Sequence, residues 1–249
     1  MSLLMSPARS MWSASVIAVM ASRATSALGT VVTSYLPLNC MVVGVICWRS
    51  TVCWGLLTEG VGLNQTRKGA LLIIDEVQTG FGRTGAVWAF QKYGVEPDIF
   101  TAGKPVAGGL PIGLAVARED LGDVFEPGEH GSTFAGNAVV MAAAAAASRL
   151  LREEDVPAKA ERAGAELAKA LAETGSRLAV RVKGMGLMLG LDLRVKADQF
   201  LQPLLERGVL ALTAGVNTLR FLPPYTITKE DMEVVQAAVV DVLRKAEPP

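Results

Sequence analysis

The stretch LLIIDEVQTGFGRTGAVWAFQKYGVEPDIFTAGK, residues 71–104, decides the fold. Its first residues continue a short unbroken apolar run, Ala70 to Ile74, that ends on Asp75. Such a run, bounded by a loop, predicts a strand buried on both faces, as in a parallel sheet. Gly80 to Gly85 reads as loop, and Val87 to Tyr93 has helical spacing that stops at Gly94. Pro97-Asp98 then leads into a second short strand, Ile99-Phe100-Thr101, which delivers Lys104 at its C-terminal end. An acid and a lysine are thereby expected at the same edge of one sheet.

Each of these two residues has an ordinary reading beside a functional one. A carboxylate at a buried strand end can be satisfied by loop amides, or it can meet a cation. Open parallel sheets bind ligands at the carboxyl ends of their strands. A carboxylate there can keep a heteroaromatic nitrogen protonated and so improve the ring as an electron sink. A loop lysine is ordinarily solvated. Lys104, however, follows a buried strand and is flanked by Gly103 and Ala102, which leave room for a bulky ligand. A desolvated lysine amine can form a Schiff base with an aldehyde. Gly80-Phe81-Gly82-Arg83-Thr84-Gly85 has the GxGxxG spacing, but its glycines do not join a strand directly to a helix, and no acid follows about 20 residues on at a second strand end. The expectation is a flexible glycine loop near the site.

Outward from this stretch, Leu110 to Ala117 suits a third strand, and Gly128 to Phe134 is loop. Asn137 is placed to cap an alanine-rich helix from Ala138 to Arg152. The charged run Leu151 to Asp155 marks a change of surface. Beyond it, helices are expected over Ala158–Thr174 and Ala197–Glu206, and strands over Leu178–Lys183, Gly186–Leu193, Val209–Leu212 and Thr218–Leu222. Thr228 caps a final helix whose first turn holds Glu230 and Asp231, as the helix dipole favours.

Composition separates the first part of the chain from the rest. Of the 24 basic and 24 acidic residues, only Arg9, Arg23, Arg49 and Glu59 precede position 66. Cys40, Cys47 and Cys53 all lie there, in no CxxC spacing and with no histidine near. Residues 1–66 therefore read as an atypical N-terminal segment, poorly ordered or translated out of frame. Residues 67–150 read as a portion of a ligand-binding large domain, and 151–249 as a small α+β domain. The apolar run Met41 to Leu57 contains Arg49 and is short for a membrane span. A formal charge of zero gives no electrostatic case for nucleic acid or an anionic membrane. With His130 the single histidine, triads and multi-histidine metal sites are disfavoured, and no metal is expected.

Four ordered motifs carry a resemblance. IIDEVQTGFGRTG, a lysine 29 positions after the aspartate, GSTFAGN at 131–137 and LRFLPP at 219–224 resemble the class III, fold-type I, pyridoxal-phosphate aminotransferases. Leu212-Thr213-Ala214-Gly215 before Asn217 and Arg220 is similar to the acetylornithine aminotransferases and their lysine-biosynthesis relatives that use carrier-bound aminoadipate derivatives. The resemblance runs from about Gly69 to the C-terminus. It implies an α/β fold, a partial fold-type I large domain followed by a small domain, and transamination with 2-oxoglutarate or glutamate. Asp75 would pair with the pyridinium nitrogen, Gln78 would face the phenolic oxygen, and Lys104 would hold the cofactor and then shuttle protons. Thr133, helped by Ser132, would contact the phosphate, in family members across a homodimer. Arg220 would bind the substrate α-carboxylate as a bidentate fork. Glu59 resembles a family glutamate able to pair with that arginine. The family is cytoplasmic and acts on small amino and oxo acids, and a remnant without activity, an aminomutase or a decarboxylase are the alternatives. The family's Gly-Thr phosphate cup and ring-stacking aromatic have no counterpart in residues 1–65, so cofactor affinity is expected to fall and the edge of the Leu71–Asp75 strand to lack its neighbours.

Overall fold

A computed structural model describes residues 42–47, 70–119, 121 and 131–246. These fall into two compact units. The first comprises 42–47, 70–81, 88–119, 121 and 131–153, and the second comprises 82–87 and 154–246.

The first unit is built on a four-stranded sheet in the order β1-β2-β3-β4, formed by Val42–Cys47, Ala70–Asp75, Ile99–Gly103 and Gly113–Ala117. The two strands expected from the opening motif are the central pair and run parallel, with Asp75 opposite Thr101. Both outer strands are antiparallel to their neighbours, so the sheet is mixed. Leu72 and Ile74 are buried with Phe90, and Trp88, Val95 and Phe100 close around them. Phe100 tilts against both Trp88 and Phe90, with ring centroids 4.8 and 5.4 Å away. Asp98 ties the strands together. Its Oδ2 accepts the Leu72 N–H at 2.6 Å, its own N–H donates to the Leu72 carbonyl, and its carboxylate pairs with Arg118.

One expectation is overturned here. The edge of β2 is not left open, because β1 pairs with it from Val42 opposite Asp75 to Cys47 opposite Ala70. The physical reason is in the sequence VVGVIC, whose β-branched residues suit an extended backbone. A strand buried in a core must also satisfy the polar groups of both its edges. The remainder of 1–66 lies outside the described residues.

Between β2 and β3 the helical spacing of Val87–Tyr93 resolves as a 3-10 turn over Ala89–Tyr93, ended by Gly94 in the left-handed conformation. Helix α1, Ala138–Glu153, begins as expected, with Asn137 Oδ1 accepting from the N–H groups of Val139 and Val140 at 3.0 and 3.3 Å.

The second unit contains the antiparallel sheet β5-β6-β8-β7, made of Ala179–Met185, Met188–Leu193, Thr218–Phe221 and Leu212–Thr213 in that spatial order. Helices α2 (Val156–Ala172) and α4 (Lys229–Lys245) form its core with Leu171, Leu191, Leu219, Val239 and Leu243. The segment expected to be helical over Ala197–Glu206 is a 3-10 turn leading into a short helix α3, Leu201–Leu205. The strand expected over Val209–Leu212 pairs only at Leu212–Thr213. Gly164 of α2 allows close approach to the β5–β6 turn, since a β-carbon there would come within 2.0 Å of the Gly186 carbonyl oxygen. The Thr228 cap forms a complete capping box with Asp231.

Candidate active site

Asp75 ends β2 and is half-buried. Its Oδ1 accepts the Val77 N–H at 3.0 Å and the hydroxyl of Thr101, its register partner on β3, at 2.8 Å. Both bonds fall on one oxygen, so the carboxylate is fixed in orientation while Oδ2 stays clear of either bond. Lys104 follows directly on β3, three residues beyond Thr101, and is exposed. The parallel pairing thus brings Asp75 and Lys104 to the carboxyl ends of adjacent strands. Lys104 has φ +44°, a left-handed backbone unusual for a residue with a β-carbon. It opens the 3-10 turn Lys104–Ala107, against which α1 packs. The preceding Gly103 lies close to the opposing backbone: a β-carbon there would meet the Ile112 carbonyl oxygen at 3.0 Å, a tight contact.

Gln78 is half-buried in the turn after β2. Between it and Asp75 sits Glu76, which is only 2% exposed. Glu76 Oε1 accepts the Phe90 N–H at 2.9 Å, and Oε2 accepts the Thr79 hydroxyl at 2.5 Å. Burial pushes its carboxyl above the usual glutamate range. The hydrogen bonds from Thr79, Phe90 and Ala89 oppose that shift, and the neighbouring Asp75 carboxylate adds to it. Glu76 therefore braces the turn that carries Gln78. Ser132 and Thr133 lie exposed in the turns leading to α1.

Arg220 belongs to the second unit, on β8, with Gly190 and Leu212 as cross-strand neighbours. Its Nε is buried and has no hydrogen-bond partner among the described residues. An unsatisfied buried guanidinium donor is costly and suits a site that takes an acceptor. Glu59 and His130 lie outside the described residues.

The glycine loop differs from expectation. Residues 82–87 belong to the second unit, and Gly82 and Thr84 are buried. Arg83 anchors them there. Its Nη1 donates to the carbonyls of Pro223 and Leu187, at 2.5 and 3.4 Å, and its carbonyl accepts from the Leu187 N–H. The guanidinium also lies 4.3 Å from the Tyr225 ring centroid. These contacts hold Arg83 at several points, are formed with residues over 100 positions away and have no local signature.

The class III aminotransferase family model matches residues 62–243. The chain belongs to the class III aminotransferases. It is 91% identical over 181 residues to a putative [LysW]-aminoadipate semialdehyde/glutamate semialdehyde transaminase of Pyrobaculum aerophilum, which covers 73% of this chain and 47% of that protein. It is 41% identical to the acetylornithine aminotransferase of Bacillus subtilis over 72% of this chain and 46% of the relative. Among solved structures it resembles the acetylornithine aminotransferase of Elizabethkingia anophelis, with TM-score 0.70 and 30% identity over 76% of this chain and 52% of the other. The ornithine aminotransferase of Toxoplasma gondii gives TM-score 0.68 at 32% identity, over 72% and 44%. The chain spans about half the length of the curated relatives it matches. Its α/β fold is that of pyridoxal-phosphate aminotransferases.

Class III aminotransferases use pyridoxal phosphate. The donor set of the first unit fits the ring end of that cofactor: a carboxylate with one oxygen anchored, a half-buried amide and a primary amine at neighbouring strand ends. Sequence reading missed Thr101 and Glu76. Thr101 is visible only once the strand register is known, whereas Glu76 was legible as a second acid in the DEVQ run that alternation turns to the other side of the strand end.

Among the described residues no helix is long and apolar enough to cross a membrane.

Proposed function

We propose that this chain supplies the lysine-bearing wall of an aminotransferase site that moves an amino group between an acetylornithine-like amino acid and 2-oxoglutarate. The observation that carries the reading is Asp75, anchored by Thr101, beside Lys104 at the ends of two parallel strands. When bound, pyridoxal phosphate supplies an electron-withdrawing ring that stabilises negative charge at the substrate carbon. Asp75 keeps the ring nitrogen protonated through its carboxylate. Gln78 orients the ring from its phenolic side. Lys104 Nζ would hold the cofactor through its aldehyde and, as a free amine, would move a proton at the substrate carbon that bears the amine. Ser132 and Thr133 donate to the phosphate. Arg220, with a donor unsatisfied among the described residues, would bind the substrate α-carboxylate.

The names of the relatives support a place in lysine or arginine biosynthesis, with an amino-acid semialdehyde as product or substrate. The family reading also carries a cytoplasmic homodimer with shared active sites. A second reading, a non-catalytic interaction piece, is favoured by the exposure of Ser132 and Thr133, which a phosphate site would enclose. Another class III chemistry, aminomutase or decarboxylase, would use the same Asp75 and Lys104 and differ at the substrate mouth. The test is turnover of acetylornithine with 2-oxoglutarate by the purified chain, with Lys104→Ala as control. Glutamate formed only by the lysine-bearing protein supports transamination. A cofactor-dependent visible band without turnover supports the second reading.

A further inference from the structure

Arg220 shares one face of the second unit's sheet with a small charged network, and the strand register fixes who can reach whom. Leu189, Leu191, Leu219 and Phe221 point into the core, so Gly190, Asp192, Thr218 and Arg220 lie on the opposite face. Lys183 is the cross-strand partner of Gly190, which is in turn the partner of Arg220. Arg181, Asp192 and Thr218 form the next row along. Asp192 is the one acid on the four strands of this sheet. It is diagonal to Lys183 on one side and diagonal to Arg220 on the other. Diagonal neighbours are ~7–8 Å apart, within reach of a long cation from either side.

Only one of the two cations has taken it. Lys183 Nζ lies 2.7 Å from Asp192 Oδ1, the Thr218 hydroxyl donates to the same oxygen at 2.6 Å, and Arg181 Nε donates to Oδ2 at 3.0 Å. Arg220 Nε, on the other diagonal, has no partner among the described residues. We propose that Lys183 is a positioning residue for the substrate-binding arginine: by holding Asp192 together with Thr218 and Arg181, it keeps that carboxylate off Arg220 and leaves the guanidinium open to the carboxylate of an amino-acid or oxo-acid substrate. The inference rests on the reading of Arg220 as the carboxylate fork. Burial alone would raise the Asp192 pKa, but the hydrogen bonds from Lys183, Thr218 and Arg181 outweigh it and hold the carboxyl below the usual aspartate range, as a fully engaged carboxylate should be. Gly190 completes the arrangement by placing no side chain between the two cations.

The test uses the full chain with 15N-labelled arginine and follows the Arg220 Nε–H signal by NMR, with glutarate titrated as a non-reacting carboxylate probe. In Lys183→Met, Asp192 keeps Thr218 and Arg181 but loses its Lys183 partner, and its Oδ1 should turn toward Arg220. The Nε–H signal should then move to a hydrogen-bonded position and exchange more slowly, and glutarate should bind roughly three- to tenfold more weakly. Lys183→Met/Asp192→Asn should return both readouts to the wild-type values, a rescue that a merely structural role for Lys183 would not produce. Thr218→Val, close in shape, removes a different hold on Asp192 and should shift the signal in the same direction if Lys183→Met does not fold. An Arg220 signal unmoved in the variants, or a loss that Asp192→Asn does not rescue, overturns the proposal. Glutarate binding indifferent to Arg220→Gln instead overturns the reading of Arg220 as the carboxylate fork, while the Nε–H signal still decides whether Lys183 restrains Asp192.

Discussion

Replacing Glu76 should expose how the site's central turn is held. Glu76→Ala removes the acceptor of the Phe90 N–H, in the first turn of the 3-10 segment Ala89–Tyr93, and one partner of Thr79. A buried donor that loses its acceptor costs about 1–3 kcal/mol, so the two losses together predict about 2–6 kcal/mol of destabilisation. Glu76→Gln keeps one acceptor and the side-chain shape and should cost about 1 kcal/mol or less at neutral pH. The two proteins should also differ in pH dependence. The Glu76 carboxyl is raised in the folded state, chiefly by burial. Below the ordinary glutamate range it is protonated in both states, and its contribution is fully present. As pH rises through that range the unfolded chain releases its proton first, so the folded state binds more protons and loses stability until Glu76 itself ionises. Urea denaturation from acid to neutral pH, followed by far-UV circular dichroism, should show wild type losing stability relative to Glu76→Gln as pH rises. Parallel pH profiles, or an alanine variant within about 0.5 kcal/mol of wild type, would refute the assignment of Glu76 as a buried, bonded acid.

Three further outcomes follow from specific contacts. Gly164→Ala puts a methyl 2.0 Å from the Gly186 carbonyl and should cost about 3 kcal/mol in denaturant titrations. Thr228→Ala removes one half of the α4 capping box and should cost about 1 kcal/mol, read as a lowered melting temperature. Thr101→Val removes the hydroxyl that orients Asp75 and should weaken pyridoxal phosphate binding roughly tenfold, measured by equilibrium absorbance titration, with little change in the fold.

The elements that sequence made legible were those with local causes. The run Ala70–Asp75 is a strand because it is short, apolar and bounded by turn residues, and Asn137 and Thr228 cap their helices because their side chains reach the next N–H groups. The common edge of Asp75 and Lys104 followed from two such strands in parallel. What escaped was settled by partners distant in sequence. Pairing of Val42–Cys47 onto β2 could not be read from a segment with few charges and no clear period. The capture of the glycine loop by Arg83 depends on carbonyls of Leu187 and Pro223. The anchoring of Asp75 by Thr101 depends on a register that neither strand encodes alone. Val209–Ala211 is apolar enough for a strand, but only Leu212 and Thr213 find a partner in β8.

The central claim is that Asp75 and Lys104 serve one cofactor. It is tested most directly by incubating the chain with pyridoxal phosphate, reducing with borohydride and mapping the modified lysine by peptide mass spectrometry. Modification should concentrate on Lys104, at a yield that falls in Asp75→Asn. Label spread evenly over the surface lysines, with Lys104 no more reactive than the rest and no effect of Asp75→Asn, would contradict it.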